Sequence, residues 1–102
     1  MKINVDQPLI GLDGKPLMDG SEKWTLGSLA IFSLVNMSGN DRQVDNMVKF
    51  ERGELASKLY VGGDVDLSQK EVEMMKERVG FMFDPRHMTP AWRLIKEAED
   101  RG

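Results

Sequence analysis

From Trp24 to Met37 the chain is apolar almost all the way round, and a helix of that kind needs cover on several sides at once. Leu26, Leu29, Ala30, Ser33 and Met37 recur at helical spacing, while Ile31, Phe32, Leu34 and Val35 fall off that stripe. Thr25 is placed as N-cap and Ser38-Gly39 as the end, where glycine can take the left-handed C′ conformation. Read as a helix over 24–38, the segment is expected at the centre of the fold. A chain of 102 residues suits one domain, 1–102, and hides roughly two-thirds of the surface its unfolded form exposes.

The remaining elements are arranged around that helix. Residues 1–20 read as a β-hairpin turned at Asp13-Gly14, which signals a type I′ turn. Pro8 and Pro16 cannot donate to a ladder, so the hairpin is expected to be short and open along an edge. Asp19-Gly20-Ser21 then turns the chain out of it. A second helix is expected over 41–60, started by a capping box from Asn40 to Gln43, with Val44, Met47, Val48, Leu55 and Leu59 as its buried stripe. Gly53 marks a place where it could break. The third helix, 68–83, has the strongest start signal: Ser68-Gln69-Lys70-Glu71 is a capping box, and Leu67 and Val72 occupy the hydrophobic-staple positions. Asp84-Pro85 is expected to stop it, and Thr89-Pro90 to restart the chain as a last helix over 90–100. The expected fold class is α+β: an N-terminal β-hairpin packed on three to four helices, predominantly helical.

Composition narrows function mainly by exclusion. With no cysteine, thiolate metal sites, disulfide frameworks and cysteine nucleophiles are ruled out. His87 is the one histidine and no Gly-x-Ser-x-Gly elbow surrounds a serine, so no nucleophilic triad is legible. Asp64-Val65-Asp66-Leu67-Ser68 opens like a calcium loop, but Gln69 and Met75 stand where glycine and a bidentate glutamate belong. No phosphate-cradling glycine motif is present. The expectation is a protein that is not an enzyme, with no cofactor and no metal. Lys+Arg number 14 against 17 Asp+Glu, a net charge of −3 that disfavours a general nucleic-acid coat. The longest apolar run, Leu29–Phe32, is far below the ~20 residues of a membrane span. No secretory signal is visible, so the expected compartment is the cytoplasm.

Eight methionines are many for this length, and four of them, Met74, Met75, Met82 and Met88, lie with Phe81 and Phe83 around the third helix and the loop after it. Val72, Met75, Val79 and Met82 fill one side of that helix, whereas Met74 and Phe81 fall on another. A second apolar side asks for a second contact, in the same chain or in another molecule, and methionine adapts well to partner surfaces. Met74, Phe81, Phe83 and Met88 are thus the candidate partner surface, and the sequence leaves a homo-oligomer open. The alternative is a nucleic-acid-binding regulator using the last two helices, with Arg86, His87, Arg93 and Lys96 as candidate contacts.

The stretch Asp66-Leu67-Ser68-Gln69-Lys70-Glu71, through Lys76-Glu77-Arg78-Val79-Gly80, to Pro90-Ala91-Trp92-Arg93-Leu94-Ile95 resembles small proteins of tailed bacteriophages and prophages. Phe50-Glu51-Arg52-Gly53-Glu54-Leu55-Ala56 is similar to the same group. The resemblance covers the C-terminal half and rests on capping and packing signals, so it carries over no functional residue. It implies a small accessory protein in the bacterial cytoplasm, acting by binding a host or viral protein as an assembly factor or modulator.

Overall fold

Helix α1, Leu26–Val35, is the element on which the others are laid. In the computed structural model, which describes residues 1–41 and 43–101 and only the backbone of Asn40, α1 opens on Thr25 as expected. The Thr25 Oγ1 accepts the Ser28 amide at 3.0 Å, and the Ser28 hydroxyl accepts the Thr25 amide at 2.8 Å. This reciprocal pair satisfies two amides that a helix start otherwise leaves unbonded. Leu26, Leu29, Ala30, Ser33 and Leu34 are buried. Helices α2, Asn46–Tyr60, and α3, Gln69–Met82, both pack on α1 and touch each other far less; α4, Pro85–Arg101, packs mainly on α3.

The strands are short, and one pair ties the N-terminal residues to the middle of the chain. β1, Lys2–Asn4, runs antiparallel to β4, Asp64–Asp66, with Ile3 opposite Val65 and both buried. The expected hairpin over 1–20 is therefore divided. Its first strand pairs across the molecule, and the Asp13-Gly14 loop is closed by one bridge between Ile10 and Pro16. Gly14 alone has positive φ there, at 81°, and its amide donates to Gly11 O at 3.0 Å. That is a type I turn followed by a left-handed glycine, not the I′ turn, which would need Asp13 at positive φ as well. A second tight hairpin, β2 (Met18–Asp19) with β3 (Glu22–Lys23), closes through Gly20-Ser21. Leu9, fully buried, links this arm to the core through bonds to Leu17 and Trp24.

Three helix boundaries differ from expectation, each for a visible reason. α1 stops at Val35 instead of Ser38-Gly39: Asn36 is extended, and its Nδ2 donates to Phe32 O at 2.9 Å. α2 starts at Asn46, with Asp45 accepting the Met47 amide at 2.9 Å, instead of at residue 41. Asp41 ends a 3₁₀ turn, Gly39–Asp41, and is drawn inward; the Asn40 side chain on which the expected box depends lies outside the described residues. α2 continues unbroken past Gly53, which faces open space. α4 begins at Pro85, five residues before the expected Pro90, because Asp84 Oδ1 accepts the Arg86 amide at 3.0 Å and Pro85 is preset for a first helical position. The Ser68 box is formed as read, with Glu71 Oε1 accepting the Ser68 amide at 2.8 Å and Ser68 Oγ the Glu71 amide at 3.2 Å.

One charged group lies in the middle of this packing. Arg78 of α3 is 4% exposed. Its Nε donates to Ser33 O at 3.0 Å and its Nη2 to Asn36 O at 2.9 Å, so it occupies the carbonyls that α1 leaves open at its end. Its Nη1 donates to Asp41 Oδ1 at 3.0 Å, and Nη2 reaches Oδ2 at 3.3 Å. Asp41 in turn accepts the Ser38 amide at 2.8 Å, and Arg52 Nη1 of α2 approaches the same carboxylate to 3.5 Å. One guanidinium thus joins α3 to the end of α1 and to the turn leading into α2.

Losing it should be severe. Arg78→Met leaves Asp41 buried beside Arg52 alone, and the expected destabilisation is about 3 kcal/mol or more, read from the urea midpoint. Acid should act on the same point. The Ser38 amide and then Arg78 hold the Asp41 carboxyl at about 2, below the ordinary 3.8. The folded state therefore takes up this proton less readily than the unfolded chain. The contribution is complete above pH 3.8 and is lost as pH falls toward 2; acid titration by circular dichroism should show that loss in the native protein and much less of it in Arg78→Met.

Candidate functional site

α1 contains no charged residue along its ten positions. Its inward side is spent on the core, yet the opposite side is not the polar face that a surface helix normally presents. Ser28, Ile31, Phe32 and Val35 recur at i, i+3, i+4 and i+7 and face outward. Phe32 is 42% and Val35 53% exposed, with Ile31 half-buried beside them. Together with Trp24, Asp19 and the exposed Tyr60 of α2, they line a shallow hollow of about 280 Å³.

Aromatic packing holds the floor of this patch in place. Trp24, buried, meets the edges of Phe32, Phe83 and His87 at centroid distances of 6.0, 5.8 and 6.4 Å. Phe32 and Phe83 lie 5.5 Å apart, and His87 stacks on Phe83 at 5.3 Å. The four rings come from the approach to α1, from α1 itself, from the end of α3 and from the first turn of α4. Such edge-to-face groups have a preferred geometry, so Phe32 is held in one orientation although nearly half of it meets solvent. A fixed, half-exposed aromatic ring loses little freedom when covered, which is what a binding anchor requires.

The four residues proposed from sequence do not share a surface. Phe83 belongs to the aromatic floor. Phe81, 48% exposed, lies 5.0 Å from the Arg78 guanidinium carbon. Met74 is half-buried between α2 and α3, and Met88 packs toward Gly80 in the groove between α3 and α4. Met74 and Phe81, seven apart, share one side of α3 as read, whereas Phe83 and Met88 lie beyond its last turn, in the aromatic floor and in the α3–α4 groove. Phe32, Val35 and Tyr60 are not singled out by the sequence pattern, because an apolar helix reads as covered on several sides; the usable signal is the complete lack of charge on α1.

The basic residues are similarly dispersed. Arg86 is held by Asp84 through Nη2 to Oδ2 at 2.9 Å, and that bond is the main reason the Asp84 carboxyl lies below its usual range. His87 is turned into the aromatic stack, with Nδ1 3.5 Å from Asp84 Oδ1. Arg93 and Lys96 are exposed on the α3–α4 groove, where Glu99 and Asp100 alternate with them and Glu99 pairs with Lys76 at 3.4 Å. Among the described residues no three acids or histidines converge on a point that could hold a metal ion, and Asp64–Asp66 forms β4. No helix among the described residues is long and apolar enough to cross a membrane.

Chemically, the α1 patch offers apolar area, one tyrosine hydroxyl and one carboxylate at its rim. Its rigidity depends on Phe83, so Phe83→Ala should cost about 2 kcal/mol in urea unfolding and move the tryptophan emission to longer wavelength as Trp24 is wetted. Comparison of the chain with protein-family models, with curated proteins and with solved structures finds no match.

Proposed function

We propose that the protein is a non-enzymatic binding module whose outer α1 face docks on another protein, in keeping with an accessory protein of phage or prophage type that modulates or helps assemble its target. The observation that carries this reading is a solvent-facing helix side made of Ile31, Phe32 and Val35 with no charge anywhere on the helix. Apolar side chains scattered singly over a surface need no explanation, but here they are contiguous, ring-supported and flanked by Tyr60. Aromatic anchors with a polar rim are the usual makeup of an interface centre. A partner presenting a complementary apolar ridge would gain by excluding water from all of them.

A photo-crosslinking amino acid in place of Val35 tests this in the native host. The expected result is one discrete adduct with a different protein, absent when the crosslinker replaces the exposed Glu97 and lost when Phe32→Ser is added. An adduct of two copies of this chain would replace the reading with self-association, and no adduct would overturn it. Val35→Glu should leave thermal stability nearly unchanged, within about 0.5 kcal/mol, because the position is exposed, while abolishing the adduct formed from a crosslinker at Ile31.

A further inference from the structure

The buried stripe expected for α2 is only half buried. Leu55, Ala56 and Leu59 are 2% exposed, but Met47 is 60%, Val48 39% and Phe50 61% exposed. α2 has fifteen residues against ten in α1, about 22 Å against 15 Å, so α1 cannot cover its whole length. Because α2 and α3 pack on α1 and scarcely on each other, a groove lies between them. Two hollows of about 530 and 290 Å³ occupy it and share Glu51, Lys70 and Met74. Along α2 the groove is lined by Val48, Glu51, Leu55 and Lys58, and along α3 by Met74 and Glu77, spacings that keep each set on one helix side.

Charge gives the groove a sign. Its cations are engaged: Lys58 with Glu71 at 2.9 Å, Lys70 with Glu51 at 3.3 Å, and Arg52 and Arg78 with Asp41. Glu54, Glu73 and Glu77 have no cationic partner among the described residues. They do not converge as a metal site would. Instead they are distributed along an apolar floor, which is the charge pattern complementary to a helix bearing Lys or Arg beside its apolar stripe.

We infer that the α2–α3 groove is a second docking surface, distinct from the α1 face, and that its occupant is a basic amphipathic helix. Apolar side chains of the occupant would lie on Met74 and Val48, with Leu55 closing the floor beneath them, and its cations would face Glu54, Glu73 and Glu77. The groove length corresponds to about three helical turns, or about 11 residues. A nucleic acid is disfavoured by the same carboxylates.

The test is titration of the full chain with a fluorescein-labelled leucine/lysine amphipathic peptide of about 14 residues, beside a peptide with glutamate at every lysine. The lysine peptide should bind and perturb the methyl resonances of Met74 and Val48; the glutamate peptide should not. The double variant Glu73→Lys/Glu77→Lys should weaken binding by about tenfold or more, as should raised salt. Val35→Glu should leave it unchanged, which separates this surface from the α1 face. Equal binding of both peptides, perturbation confined to α4 or α1, or undiminished affinity in the charge-reversed variant would each overturn the inference. Since the resonance mapping uses the native protein, a folding defect in the variant would not rescue it.

Discussion

Arg78 sets the geometry from which the rest follows. A helix that ends without a glycine cap leaves carbonyls open, and α1 ends in that way, with Asn36 extended and the open oxygens of Ser33 and Asn36 turned toward α3. The guanidinium fills that deficiency and uses its remaining donors on Asp41. Three segments separated in sequence are thereby held at one point by a group with five donors in a fixed plane, a role for which a lysine's single ammonium would be a poor substitute. Burying such a pair does not by itself favour folding over an apolar alternative. What it fixes is register: the end of α1 and the start of α2 are placed relative to α3 by directional bonds, where apolar packing alone would tolerate sliding.

Fixing α1 at its end has a consequence for the surfaces. With α2 and α3 both seated on α1, its inner side is used, and among the described residues its outer side is flanked by Trp24 and Tyr60 but left open at Phe32 and Val35. The same arrangement keeps α2 and α3 apart and leaves the acidic groove between them. One face is apolar and ring-supported with a single carboxylate at its rim, the other apolar at its floor and lined by several glutamates. The two proposed docking surfaces therefore call for partners of different chemistry, one apolar and one basic.

What the sequence disclosed, and what it withheld, divides along a physical line. Thr25 and Ser68 were legible because a cap is a local device, decided by a hydroxyl and an amide a few residues away. The α+β class followed from the element pattern, and periodicity found Leu26, Leu29, Ala30 and Ser33 of α1 and Val72, Met75 and Val79 of α3 inside. It missed the buried Leu34 and Arg78 and placed inward Met37, which lies past the end of α1 and is 47% exposed. The early end of α1 and the late start of α2 were harder to read: Asn36 and Asp45 form the local caps there, and the turn between them is held by Arg78, 37 residues from Asp41 in the chain. β1 pairing with β4 is non-local in the same sense. Asp84-Pro85 was read only as a stop, although the same dipeptide also supplies a cap and a first helical residue. The candidate site was the least legible part. Periodicity marks which residues are apolar, but it cannot say which apolar side lacks a neighbour: Met74 and Phe81 do share a side of α3, while Phe83 and Met88 are placed elsewhere by the turn into α4.

Pro90 sits inside α4 and has no amide to give the Arg86 carbonyl, so the hydrogen-bonded ladder has a missing rung after its opening turn. That turn bears His87, whose ring stacks on Phe83 beside Trp24. The turn over residues 85–89 is held instead from its two ends, by the Asp84 oxygens that accept its first amides and by the His87 ring packed on Phe83, so the edge of the aromatic floor supplies what the backbone ladder lacks.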